Sequence, residues 1–273
     1  VSSSVEKSGV DSFFASFSLR GVFAVALSQK EASCLPAACL TFAKADSMTY
    51  SLLGRCARTG QLGAVVTTSS PAVGTRCPFA RAGVGAALTQ HRTDPRLGPQ
   101  MLDLLAQGLS AQAAIDAVIA RTPDHAWRQL ALIDATGATA HFTGENVREI
   151  RSIATGPGCI GLGNILANDR IAPAMVEAFA AREAEPLATR LVAAILAGEA
   201  AGGERAAVTS AALLVVDRET FPYVDLRVDD HTTPLAELAR LWALYEPLAE
   251  DYVLRAIAPT HAAAYVPPPA KAT

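Results

Sequence analysis

No run of this chain stays apolar for the roughly 18 residues that a helix needs to cross a bilayer, so a membrane is not an expected partner. Charge is sparse and nearly balanced, with 23 Lys and Arg against 26 Asp and Glu for a net charge of -3. No basic stripe or basic–aromatic interleaving stands out, which argues against a nucleic-acid partner. Cysteines are few and unpaired in pattern: Cys34, Cys39, Cys56, Cys77 and Cys159 make an odd count without a CxxC pair. That disfavours a disulfide framework or a zinc site and fits a reducing, cytoplasmic setting. His91, His125 and His141 have no ligand spacing and read as surface residues. GPGCIGLG at 156–163 does not fit the GxGxxG dinucleotide fingerprint. Asp225, Asp229, Asp230 and His231 cluster, but strand alternation splits them between two faces, so a solvated strand end or a partner for Arg227 is the better reading. No metal or cofactor is expected.

What the chain has is apolar material: 51% of its 273 residues are hydrophobic, enough for a large core in one or two domains. Residues 1–48 do not share the pattern of the rest. They open Ser-rich, carry the short run GVFAVAL, and lack a basic region ahead of it. Three readings compete: upstream sequence called as protein, a propeptide removed by self-cleavage at Met48–Thr49, and a targeting leader. The first is preferred, and under it methionine removal exposes Thr49.

From Thr49 the register is orderly. Thr49–Arg55 and Leu62–Thr68 read as strands of a hairpin turned by Arg58-Thr59-Gly60. Ser69–Pro78 reads as a loop and Ala82–Gln90 as a strand, with Gly83 and Gly85 permitting close backbone approach. Pro99–Gln107 and Ala111–Ala120 carry helical stripes, with Gly108 ending the first and Ser110 capping the second. Arg128–Asp134 and Ala138–Phe142 flank a clear hairpin turn, and Ile153–Gly163 is Gly-rich and apolar up to Asn164. Helices are expected over Ile171–Ala184, from Pro186 to about Ala200, and over Pro234–Tyr245; strands over Ser210–Asp217 and Val224–Val228. Residues 259–273 read as a mobile tail. Hairpins outnumber crossovers, which argues for an antiparallel α+β domain with helices layered on sheets.

Four stretches bear a family resemblance: MTYSLLGR at 48–55, AVGTRCPFARAGVGAALTQ at 72–90, GLGNILA at 161–167, and AGGERAAVTSAALLVV followed by DLRVDDH within 201–231. In this order they resemble the uncharacterised family called domain of unknown function 1028, placed in the N-terminal nucleophile (Ntn) hydrolase superfamily. The resemblance covers Met48 to about Tyr245. It implies a four-layer αββα sandwich of two antiparallel sheets over 49–258, and a threonine at the mature N-terminus, matching Thr49. It supplies no substrate.

A threonine hydroxyl with its own α-amine is a minimal nucleophile, because an amine of pKa roughly 7.7–8.0 can take the hydroxyl proton. The expected activity is hydrolysis or transfer of a small amide or acyl substrate through an acyl-enzyme. Asn164 is a candidate oxyanion donor, or else a turn asparagine. Ser69 and Ser70 could orient the amine, or simply form a turn before Pro71. Arg76 or Arg81 could hold a substrate carboxylate, or pair on the surface. Ser210 could line the cleft or merely open its strand, and Cys77 reads as a small buried hydrophobe. The competing functional class is a non-catalytic binding or assembly module on the same fold. The Ala- and Leu-rich faces lead us to expect a homo-oligomer.

Overall fold

The hairpin forms as its residues require. Strands β1 (Thr49–Arg55) and β2 (Leu62–Thr68) pair antiparallel from Thr49↔Thr68 to Arg55↔Leu62, and Gly60 takes the positive φ of the turn. The computed structural model describes residues 48–264. The readings of residues 1–47, of Cys34 and Cys39 and of the tail beyond 264 lie outside them.

After the hairpin come β3 (Pro78–Arg81), β4 (Gly85–His91), α1 (Leu97–Ala106), α2 (Ala111–Ile119), β5 (Arg128–Asp134) and β6 (Thr139–Thr143). Then follow β7 (Ser152–Gly156), β8 (Cys159–Asn164), α3 (Ile171–Ala180), α4 (Leu187–Ala200), β9 (Ser210–Val216), β10 (Val224–Val228), α5 (Pro234–Tyr245) and α6 (Ala249–Ile257). The strands make two antiparallel sheets, β10-β9-β2-β1-β8-β7 and β3-β4-β5-β6.

Alternation along each strand sorts the apolar residues into three cores. Leu53, Ala64, Val66, Ile160 and Leu162 meet Leu88, Ala131 and Ile133 between the sheets. Tyr50, Leu52, Val65 and Leu213 face Met175, Phe179, Leu191 and Trp242 of α3, α4 and α5. Ala87, Leu130 and Leu132 face Met101, Leu102 and Ile115 of α1 and α2. The order is helix, sheet, sheet, helix: the expected four-layer αββα sandwich.

Glycines set how closely the α3–α4 layer sits. A Cβ on Gly54 would lie 2.6 Å from the Phe179 ring, and one on Gly63 would lie 2.9 Å from Leu191. Gly85 likewise backs onto the Ile133 carbonyl at 2.5 Å. Gly83 does not fit that expectation: it has open space and φ +68, so it serves the β3–β4 turn.

Several boundaries differ from the sequence reading. Strand β3 begins where only a loop was expected, because four residues beginning with Pro78 make too short a pattern to signal an edge strand. The 153–163 run is two strands, folded at Pro157 and at Gly158, which has φ +64. Helix α3 stops at Ala180, before a turn leading to Pro186. Helix α6 was not anticipated. His91 is buried, not on the surface: at φ +66 its ring turns inward and Nδ1 donates to the Trp127 carbonyl at 2.9 Å. The expected details hold at Ser110, whose hydroxyl accepts from Ala113, at Gly108 with φ +91, and at Arg227, which pairs with Asp225 at 2.8 Å.

Replacing Gly54 with Ala should destabilise the protein by about 1–3 kcal/mol, because its Cβ overlaps the Phe179 ring and the core must shift. Urea unfolding measures this. Gly60→Ala, in open space, should cost less and act only through its positive φ.

Candidate active site

Thr49 opens β1, a strand paired on both edges. Its register partners are Thr68 on β2 and Asn164 on β8, and Thr68 in turn faces Ser210 on β9. One row across four adjacent strands therefore reads Asn164, Thr49, Thr68, Ser210. By alternation all four side chains take the face between the sheets, at the end of the sandwich where β1 begins. All are buried; Thr49, the most exposed, is at 4%.

One step deeper, polar side chains bridge the two sheets. The Ser51 hydroxyl donates to Gln90 Oε1 at 2.7 Å, and Gln90 Nε2 donates to Gln129 Oε1 at 2.6 Å. Asn164 Nδ2 donates to the same Gln129 oxygen at 2.9 Å. Gln129 Nε2 donates to the Gly163 carbonyl at 3.2 Å, and since a carbonyl only accepts, this contact fixes both amide orientations. Asn164 is thus held rigidly with its Oδ1 unpartnered.

The Thr49 hydroxyl donates to Thr68 Oγ1 at 3.2 Å, and the Thr68 hydroxyl donates to the carbonyl of Met48. The Met48 amide donates to Ser69 Oγ at 3.3 Å. With the Met48–Thr49 peptide bond in place, the Thr49 nitrogen is an amide and not a base.

The other sequence candidates build the adjoining loop. The Ser210 hydroxyl donates to the Ser70 carbonyl at 2.6 Å and accepts from the Val73 amide at 3.2 Å. Arg76 donates to the Pro71 and Ala72 carbonyls at 2.7 and 2.8 Å, and to Ser70 Oγ at 2.6 Å. Ser69 therefore stands beside Met48, while Ser70, Arg76 and Ser210 shape the turn behind it. Arg81 pairs with Asp103 on the surface at 2.7 Å. Burial pushes the Cys77 thiol up to about 12, which leaves it inert as expected.

Besides Ser51, Gln90 and Gln129 of the network, Thr68 and Glu204 at this end also escaped the sequence reading. Thr68 was legible in principle: two seven-residue strands in one hairpin place Thr49 opposite Thr68. Glu204 had no local signal, since only the bridge between Leu166 and Glu204 brings it to the start of β1. Its carboxyl oxygens are closed off from solvent without a hydrogen-bond partner. Burial pushes the carboxyl up to about 9, against the smaller pull of the Ser69 hydroxyl and amide, neither of which closes a bond of ordinary geometry. Burial, with the Glu199 and Glu204 carboxyls, also raises the neighbouring Tyr50 phenol, whose hydroxyl is likewise unpaired. Among the described residues six buried side-chain polar atoms lack partners, and five belong to Tyr50, Asn164, Glu204 and Thr209, all around the start of β1. Such groups are rare in folded proteins and each costs about 1–3 kcal/mol, so their concentration at one end marks a site. Among the described residues no group of His, Cys, Asp and Glu is placed to hold a metal ion.

Residues 49–238 match the family described as "Family of unknown function (DUF1028)", and the match begins at Thr49. The chain belongs to this family. The DUF1028 protein SPO2555 from Silicibacter pomeroyi, known from a crystal structure, is 32% identical, with a TM-score of 0.67 over 72% of this chain and 89% of that one. The ancestral β-subunit Anbu from Yersinia bercovieri is 11% identical, with a TM-score of 0.37 over 75% of this chain and 96% of that one, too distant to carry an argument. No functionally curated protein matches the chain. No helix among the described residues is long and apolar enough to cross a membrane.

Glu204 makes the stability of this DUF1028 chain depend on pH. In the unfolded state its carboxyl releases a proton near its ordinary 4.5; in the folded chain with the Met48–Thr49 bond intact it holds the proton to about 9. Between those values the unfolded state binds fewer protons, so stability is complete below about pH 4.5 and falls as pH rises toward 9. Glu204→Gln should leave the melting temperature unchanged at the acid end and raise it at the alkaline end. Thermal unfolding of both proteins across this range checks the sign.

Proposed function

We propose that this DUF1028 protein is an N-terminal-threonine hydrolase of the Ntn type, acting on a small amide or acyl substrate. The observation that carries the reading is the contact chain from the Thr49 hydroxyl through Thr68 to the Met48 carbonyl, set among unpaired polar groups. A carbonyl already lies against the row, held by a hydroxyl donor beside the nucleophile. Once Thr49 is the first residue, a substrate carbonyl takes the place of that of Met48.

The steps follow from the positions. The Thr49 α-amine accepts the hydroxyl proton, directly or through one water, as Oγ1 attacks the substrate carbonyl carbon. The developing oxyanion draws on the Thr68 hydroxyl and the second N–H of Asn164, whose amide the Gln129 network holds rigid. The amine returns the proton to the leaving group, and water resolves the ester. Ser69, no longer occupied by the Met48 amide, accepts from the new ammonium, and that positive charge draws the buried Glu204 carboxyl beside Ser69 back down toward its ionised form. Ser70, Arg76 and Ser210 fix the shape of the wall on that side.

The second reading is a binding or assembly module in which Thr49 stays internal. The burial of Met48 and Thr49 favours it. A homo-oligomer is compatible with either reading; Leu244, Leu248, Tyr252 and Ile257 expose apolar surface on α5 and α6 and the link between them.

Intact mass and N-terminal sequencing of protein purified from cells decide between them. The hydrolase reading expects a chain that begins at Thr49, and an electrophilic acyl probe such as a β-lactone should add one probe mass to its N-terminal peptide. Thr49→Ala should abolish labelling and lower any hydrolytic rate by about 10³-fold or more, while Thr49→Ser keeps part of it. An uncut Met48–Thr49 bond, or labelling that survives Thr49→Ala, would reject the hydrolase.

A further inference from the structure

The far end of β1 carries a second arrangement that the Thr49 site does not use. Seven residues of strand separate the two ends by about 20 Å. There Arg55, at the end of β1, and Arg190 of α4 line one recess of about 300 Å³, floored by Gly137, Pro157 and Gly158 of two hairpin turns, with Glu183 on its rim.

Arg190 is only 4% exposed, yet no carboxylate among the described residues forms an ion pair with it. Buried charges in proteins are normally paired. Its guanidinium is instead held in place: Nε donates to the Phe179 carbonyl at 3.2 Å, and Cζ lies over the Phe179 ring, 3.8 Å from its centroid. Arg55 is anchored in the same way, Nε donating to the Ala135 carbonyl at 2.7 Å. In both, the Nε bond to a main-chain oxygen leaves the two terminal nitrogens uncommitted. Arg58 adds a third positive charge nearby, its Nη2 donating to the Ala184 and Glu185 carbonyls at 3.0 and 3.2 Å. Burial lowers the Arg190 pKa, the direction expected of a guanidinium lacking a full counter-charge. Glu183 is exposed, and its carboxylate acts on Arg190 only from a distance.

We propose that this recess is a binding site for a small oxyanion, a phosphate or a carboxylate, gripped by the terminal nitrogens of Arg55 and Arg190. Two anchored guanidinium forks match the planar or tetrahedral oxygens of such groups, and the turn glycines leave room for them. The site is separate from Thr49 and does not depend on the hydrolase reading.

Calorimetric titration of the full chain with inorganic phosphate, and separately with succinate, at fixed ionic strength in chloride, tests it. Saturable one-to-one binding of either is expected; phosphate alone identifies a phosphate site, and succinate alone a carboxylate site. Arg55→Gln should weaken binding by about tenfold or more. Glu183→Gln should tighten it by removing a like charge, and Thr49→Ala should leave it unchanged. If neither anion binds above chloride, or if folded Arg55→Gln binds as the wild type does, the proposal is overturned. Arg190→Gln is a further check if its circular dichroism matches the wild type; Arg55→Gln decides in any case, because that side chain is partly exposed and its loss spares the core.

Discussion

Strand β1 is hydrogen-bonded along both edges, to β2 and to β8, and most of the molecule takes its position from that double pairing. With the register fixed, alternation leaves no choice of face. Tyr50, Leu52 and Gly54 turn to the α3–α4 layer, while Thr49, Ser51 and Leu53 turn to the gap between sheets. A slip of one residue would bury Tyr50 between the sheets and put Thr49 among the helices. The glycines on the helix side reinforce the choice, because α3 and α4 approach only where no Cβ stands.

The gap between the sheets changes character along its length. Its middle is apolar, with Leu53, Val66, Ile160 and Leu162 against Leu88 and Ile133. Toward Thr49 it becomes a chain of amides and hydroxyls from Ser51 through Gln90 and Gln129 to Asn164. That chain is nearly complete, which rigidifies the site, but it ends in unpaired atoms at Asn164 and, beyond it, at Glu204 and Tyr50. An apolar end would be more stable; the polar one is a standing cost that makes sense if a ligand or a new chain terminus completes it. Arg190 at the opposite end is a buried charge of the same incomplete kind, so both ends of β1 hold groups that the fold itself does not satisfy.

The sequence alone determined the class of the fold. Period-two runs, the Asp134–Gly137 turn, the stripes of α1, α2, α3 and α5 and the Pro186 start of α4 are local signals, readable because each element carries its own turn chemistry or apolar face. Equal strand lengths in the first hairpin would have put Thr49 opposite Thr68, a pairing the sequence reading did not draw, and the four ordered motifs pointed to the family. Short or atypical pieces were not readable: β3 is four residues long, α6 is charged and half-exposed, and the 153–163 run hid a turn inside apolar glycines. What tertiary structure decided is the membership of the sites. Gln90 and Gln129 look like ordinary strand residues until the second sheet faces the first. Glu204 reaches the start of β1 only because the segment after α4 bridges to Leu166. Arg190 becomes a buried cation only when α4 lies on β1. Local pattern encodes the backbone state of each segment, whereas the contacts that make a side chain costly or useful are long-range, and they exist only after the four layers close.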